Sequence, residues 1–236
     1  MPDPFLSPVP PPPLPALAVA QGLLPLQGLT ILAVEDSRFA SEALRLMCQR
    51  AGARLRRAET LAAARAHLAV YRPDVVIVDI GLPDGEGTAL IADLAATWPR
   101  GTAILGTSGD PATRAAALAA GADGFLPKPV ERLADFLHAV LALLPEPPPL
   151  PFGLETGPTP DPMALIDDLR RAEGLMAAGP PQRWLRGFLA GIAGQAHDPE
   201  LAAALPGLGS DEGRARLKRL LHQRIADSPA AFGAAP

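Results

Sequence analysis

Three carboxylates stand at the ends of short apolar runs. Glu35 and Asp36 follow Thr30 to Val34, and Asp79 follows Val75 to Val78. A hydroxyl pair, Thr107-Ser108, closes the run that begins at Thr102, and Lys128-Pro129 follows Gly124 to Leu126. If these runs are strands of one parallel sheet, all five groups meet at one edge. Crowded carboxylates repel one another, so at least one takes up a proton unless a cation sits among them. Mg2+ suits such a place, because it is a hard ion that takes one or two carboxylates, water and phosphate oxygens. Lys128 is one of only two lysines among 21 basic residues, so arginine is the ordinary cation here and position 128 calls for a compact charge on a flexible stem. Singly, Asp36 reads as a helix cap, Asp79 as a loop aspartate and Thr107 as a strand-end hydroxyl. Their joint placement decides against this, since unpaired buried carboxylates cost too much to gather without a use.

The elements that must hold these residues are legible between Gly28 and Leu144. Strands are expected at Thr30–Val34, Arg54–Ala58, Val75–Val78, Thr102–Leu105 and Gly124–Leu126, alternating with helices at Phe39–Arg50, Leu61–Val70, Gly87–Thr97, Ala112–Ala120 and Glu131–Leu144. Strand and helix in alternation predict an α/β, doubly wound (βα)5 fold with a five-stranded parallel sheet covered on both faces. Thr60 and Asp110 suit N-caps, Pro111 suits a first turn, and Gly52, Gly101 and Gly121 suit helix stops. In such a sheet ligands bind outside the carboxyl ends of the strands.

The arrangement resembles the receiver domains of response regulators, a flavodoxin-like family, over the whole of residues 29–144. The motifs are Glu35-Asp36, Asp79, Thr107-Ser108 and Lys128-Pro129, with Gly81-Leu82-Pro83-Asp84-Gly85 and Gly121-Ala122-Asp123-Gly124 between them. The resemblance implies a two-component response regulator in which Asp79 accepts a phosphoryl group from a sensor histidine kinase or phosphotransfer protein. It implies Mg2+ held by Glu35, Asp36, Asp79 and the backbone carbonyl of Gly81. Catalysis would be limited to the protein's own phosphorylation and dephosphorylation, so it is no enzyme in the ordinary sense. Lys128 would supply charge and Thr107 a hydroxyl to the phosphoryl oxygens, with the small Ser108 leaving room. Thr107 moving inward would let Phe125 rotate as a switch, remodelling the face of the fourth helix, fifth strand and fifth helix; a plain core role is the alternative for Phe125. The Lys128-Pro129 peptide is cis in this family. Gly81 and Leu82 depart from side chains often found there, which puts side-chain tuning of dephosphorylation in doubt.

Outside this domain the chain divides into a Pro-rich leader, 1–28, expected to be disordered; a Pro/Gly-rich linker, 145–161; a helical output or interaction unit, 162–227; and a flexible tail, 228–236. The apolar stretch Leu14 to Leu26 has no Lys or Arg before it and is broken by prolines, so it is not read as an export signal. No run approaches the roughly 20 apolar residues of a membrane span. With one cysteine, Cys48, and a net charge of -4, a cytoplasmic protein without membrane contact is expected. In the helical unit Leu165, Leu169, Ala172 and Met176 mark one buried face, and Trp184, Leu185, Phe188, Leu189 and Ile192 the next. Asp198-Pro199 opens a third helix, and Ser210 or Asp211 a fourth that buries Leu217, Leu220, Leu221 and Ile225. This unit reads as a dimerisation or effector-binding module. The alternative is a DNA-binding effector using the basic helix 214–224, disfavoured because residues 161–236 hold nine acidic and nine basic side chains. The four histidines, including the dipeptide His197-Asp198, lack the spacing of a metal or phosphotransfer site.

Overall fold

The computed structural model describes residues 24–97, 101–145, 161–178 and 181–227. The sheet contains β1 (Thr30–Val34), β2 (Arg54–Ala58), β3 (Val75–Asp79), β4 (Ala103–Ser108) and β5 (Gly124–Pro127), all parallel, in the order β2-β1-β3-β4-β5. Strand order reverses beside β1, which opens a crevice between the ends of β1 and β3. The helices between strands are α1 (Arg38–Ala51), α2 (Leu61–Val70), α3 (Gly87–Thr97), α4 (Thr113–Ala119) and α5 (Leu133–Leu141).

Alternation along the strands separates two cores. Ile31, Ala33, Val75, Ile77 and Leu105 face α1 and α5, packing on Met47, Cys48, Phe136 and Leu137. Leu32, Val34, Val76, Val78 and Ile104 face α2, α3 and α4, packing on Ala64, Leu90, Ile91 and Ala117. With both faces covered, a one-residue slip would turn each strand's side chains to the wrong layer, so the pairing register is strongly fixed.

Several boundaries differ from the sequence reading: the fifth helix, read as Glu131–Leu144, covers Leu133–Leu141, and the fourth strand, read as Thr102–Leu105, covers Ala103–Ser108. The leader does not run to Gly28: residues 24–28 form a turn, the Leu26 amide donates to the Ala51 carbonyl at 2.8 Å, and Leu26 is fully buried in the α1/α5 core. An apolar side chain with a place in the core overrides the disorder that nearby prolines suggest. Helix α4 starts at Thr113, because Asp110 spends its carboxylate on the Ala112 amide at 2.9 Å in a turn ahead of the helix. Between Asp79 and α3 lies an unexpected antiparallel hairpin ladder, Gly81–Leu82 with Gly85–Glu86. Its Asp84 accepts from the Leu61 and Ala62 amides at 2.9 and 3.0 Å, completing the cap that Thr60 begins on α2. Thr60 caps α2, and Gly52 and Gly121 follow helix ends at positive φ of 87° and 104°, whereas Pro111 lies in the turn ahead of α4 and not in its first turn.

The C-terminal unit is helical: α6 (Pro162–Ala178), α7 (Gln182–Gln195), α8 (Pro199–Ala204), a 3-10 turn at Leu205–Gly209, and α9 (Asp211–Asp227). Leu169, Ala172, Leu185, Leu189, Ile192, Leu201, Leu217 and Leu221 share its core. The expected leader before residue 24, the linker between 146 and 160 and the tail from 228 lie outside the described residues. None of the described helices is long and apolar enough to cross a membrane.

Candidate phosphoacceptor site

Glu35 and Asp36 leave β1 where its hydrogen-bond ladder ends, with the Glu35 amide still tied to the Ala58 carbonyl at 2.8 Å. Asp79 is the last residue of β3 and pairs in register with Thr107 of β4, which pairs in turn with Leu126 of β5. Lys128 follows at once, its amide donating to the Ser108 carbonyl at 3.0 Å. Three adjacent strands therefore deliver acid, hydroxyl and ammonium to one level. Close approach of α3 to this level needs Gly87, where a Cβ would lie 2.0 Å from the Asp79 carbonyl oxygen. The Lys128-Pro129 peptide is cis.

The side chains converge. Lys128 Nζ lies 2.6 Å from Asp79 Oδ2 and 2.6 Å from Glu35 Oε2. Glu35, Asp36 and Asp79 are all buried, and each offers a carboxylate oxygen to a cluster whose members lie within 4.8 Å of one another. Asp79 Oδ1 accepts from the Gly81 amide at 3.1 Å, so the Asp79 carboxylate is held at both oxygens. Among the described residues, Asp36 Oδ2 and Thr107 Oγ1 are buried without a hydrogen bond. Phe125 is half-buried on β5, against the core shared by α2, α3 and α4.

Electrostatics follow from this crowding. Burial, and then the Asp79 charge, push the Asp36 carboxyl up to about 7, against the pull of Lys128 and Arg171. Burial also drives Glu35 well above the ordinary carboxylate range; Lys128 pulls it down while Asp79 and Asp36 push it further up. Burial opposes the charge on Lys128, but Asp79 and Glu35 outweigh it and hold the ammonium above its ordinary range. One ammonium does not neutralise three carboxylates, so a proton or a further cation is needed. The donor set fits Mg2+: three hard oxygens, one of them lacking any hydrogen bond, converging at the mouth of the sheet.

Glu35, Asp36, Asp79 and Lys128 meet here, with Thr107 in register beside Asp79 and Gly81 at the start of the hairpin, while Phe125 packs against the core under α2, α3 and α4. What the sequence did not reveal is a contribution from the helical unit. Arg171 of α6 donates to the Asp36 backbone carbonyl and stands 3.5 Å from Asp36 Oδ2, and Asp168 caps α1 through Ser37, Arg38 and Phe39. The only signal was a charged pair three residues apart beside the apolar face of α6, which a solvated face also produces.

Residues 31–140 match the response regulator receiver domain family. These residues are a receiver domain. The chain is similar to the KDP operon transcriptional regulatory protein KdpE of Escherichia coli, with 37% identity over 99 residues, 42% of this chain and 44% of that protein. It is also similar to the response regulator MprA of Mycobacterium leprae, with 33% identity over 117 residues, 49% of this chain and 51% of that protein. It thus spans about half the length of these curated relatives. Among solved structures, a putative response regulator from Chloroflexus aurantiacus aligns over 48% of this chain and 98% of its own, at 31% identity and a TM-score of 0.43. The chemotaxis response regulator CheY4 of Vibrio cholerae aligns over 49% and 98%, at 26% identity and a TM-score of 0.44. The family match ends at residue 140, so the helical unit lies beyond it.

Proposed function

We propose that this chain is a two-component response regulator that accepts a phosphoryl group on Asp79 in a Mg2+-dependent reaction. The observation that carries the reading is Asp79 held between the Lys128 ammonium at 2.6 Å and the Glu35/Asp36 pair at the end of a parallel sheet. An Asp79 oxygen forms the new bond to phosphorus while the donor's bond to phosphorus breaks, and the leaving nitrogen of a histidine donor takes a proton. Glu35, Asp36, Asp79 and the Gly81 carbonyl would hold Mg2+, which would bind phosphoryl oxygens and neutralise their charge. Lys128 moves its ammonium from Asp79 to the incoming phosphoryl group, and the Thr107 hydroxyl, buried without a hydrogen bond among the described residues, donates to another of its oxygens. Phe125 then has room to turn inward, and the face of α4, β5 and α5 changes shape. The donor is a sensor histidine kinase or phosphotransfer protein in the cytoplasm, and the chain's own catalysis stops at forming and losing its acyl phosphate.

Output runs through the helical unit, as a homodimer or with an effector protein, using either that unit or the α4, β5 and α5 face. A second reading, phosphorylation-controlled DNA binding, is favoured by the exposed Arg214, Arg216, Lys218 and Arg219 along α9. Relatives named as transcriptional regulators also favour it, so the sequence-based argument against DNA carries little weight. Salt-dependent binding of the full chain to duplex DNA separates the two.

Incubation with Mg2+ and a small phosphodonor, followed by intact mass measurement, tests the phosphoacceptor reading. Wild type gains one labile phosphoryl group and Asp79→Asn gains none. An adduct of equal yield in Asp79→Asn overturns the assignment.

A further inference from the structure

The helical unit reaches the receiver edge through two residues one turn apart on α6. Asp168 is fully buried. Its Oδ2 accepts from Ser37 Oγ at 2.7 Å and from the Phe39 amide at 2.9 Å, and its Oδ1 from the Arg38 amide at 3.0 Å. Ser37 itself accepts from the Ala40 amide at 3.0 Å, so the open amides of the first turn of α1 are closed. Three residues on, Arg171 grips Asp36 at its backbone carbonyl and faces its carboxylate. The same guanidinium lies over the Phe188 ring at 5.2 Å from its centroid, and Phe188 stacks on Trp184. One cation is thus shared between the metal-type carboxylate of the receiver and the aromatic pair of α7.

The rest of the contact surrounds the same edge. Arg183 pairs with Glu86, and His197 Nε2 lies 2.7 Å from Glu131 Oε1. Helix α7 passes against the loops of the site: a Cβ on Gly109 would meet Gly191 Cα at 3.6 Å, and one on Gly194 would meet Pro129 Cδ at 3.8 Å.

A guanidinium facing Asp36 gives that carboxylate the positive charge a divalent ion would otherwise supply. A doubly charged ion placed among Glu35, Asp36 and Asp79 repels Arg171 and takes the Asp36 oxygen that it faces. We propose that docking of the helical unit on the receiver edge and cation binding in the acidic pocket oppose each other, with Arg171 the residue both compete for. This rests on reading the pocket as a Mg2+ site. Linkage makes the opposition reciprocal: whatever loosens α6 tightens the ion, and the ion loosens α6 by the same factor. Loading the site frees α6 and α7, so that occupancy of the receiver edge is passed directly to the output unit.

The sign of one substitution separates this from simple electrostatics. Asp168→Asn removes a negative charge near the pocket, which by field alone weakens Mg2+ binding; release of Arg171 strengthens it. Calorimetric titration of Mg2+ into the full chain is expected to show tighter binding in both Asp168→Asn and Arg171→Gln, by about five-fold or more. In wild type, which needs no variant to fold, Mg2+ saturation should speed hydrogen exchange at the Arg38 and Phe39 amides. Unchanged exchange there, or an Asp168→Asn protein that binds Mg2+ no tighter than wild type, overturns the proposal while the phosphoacceptor reading stands. A wild type that binds no Mg2+ overturns both.

Discussion

Each half of the molecule contains a cluster of opposite charges, and the two are built differently. In the helical unit Arg224 donates to Asp198 Oδ2 and to Glu200 Oε2, each at 2.7 Å, and Asp198 also caps α8 by accepting from the Leu201 amide at 3.0 Å. The Arg224 hydrogen bond, more than anything else, holds the Asp198 carboxyl below the usual range. At the receiver edge the shifts run the other way: burial lifts Glu35 and Asp36, and Asp36 Oδ2 and Thr107 Oγ1 find no hydrogen-bond partner among the described residues. A cluster whose bonding is complete holds structure together. One left short of positive charge and of an acceptor can take a ligand that supplies both, as a magnesium ion and a phosphoryl group would.

The largest break in this contrast comes from Lys128→Ala, which strips the receiver cluster of its ammonium. The rate of adduct formation from a small phosphodonor, followed by intact mass, is expected to fall by about two to three orders of magnitude. Lys128→Arg should recover only part of it, because a planar fork does not replace a point charge in so closed a pocket.

The pH dependence of stability sharpens the contrast next. In the folded, metal-free protein Asp36 keeps its proton up to about 7, whereas in the unfolded chain it gives it up near 3.8. Between these values the folded state binds more protons, so its stability falls as pH rises through the window. Glu35 is shifted in the same direction and adds to the fall. Thermal melts without metal should therefore lose midpoint temperature toward neutral pH. Saturating Mg2+ should restore it, and Asp36→Asn should flatten the metal-free slope. Asp198 works with the opposite sign: its lowered carboxyl stabilises above its ordinary value and stops doing so as pH falls through the folded one.

The smallest effect is expected in the helical unit. Asp198→Ala removes a cap and the Arg224 pair, costing about 1 kcal/mol in urea unfolding. Mg2+ affinity and Asp79 phosphorylation should stay at wild-type levels. A change in either would mean that the two clusters communicate by a route other than α6.

Much of this was open to reading from the sequence, and the exceptions have physical causes. Buried parallel strands write themselves as apolar runs with sharp ends, so Glu35, Asp36, Asp79, Thr107 and Lys128 were identifiable as a group before their convergence was seen. The cap supplied by Asp84 to α2 spans 23 residues to Leu61 and belongs to the receiver's own loop. The cap supplied by Asp168 to α1 spans 129 residues to Phe39 and depends on docking, for which local patterning carries no information. Leu26 was misjudged for the same reason, since the prolines around it speak for local chain stiffness and not for the core residue it becomes. The short hairpin after Asp79 was missed because its two-residue ladders are too brief to show alternation.

Whether phosphoryl chemistry takes place on Asp79 can be read directly. An acyl phosphate formed in the presence of Mg2+ can be reduced with borohydride, which converts the modified aspartate to homoserine and leaves a permanent mass change. Peptide mass mapping after such trapping should find the change at position 79 and should find it only when Mg2+ is present. A change at another position, or none in protein that has bound Mg2+ and phosphodonor, would exclude Asp79 as the phosphoacceptor.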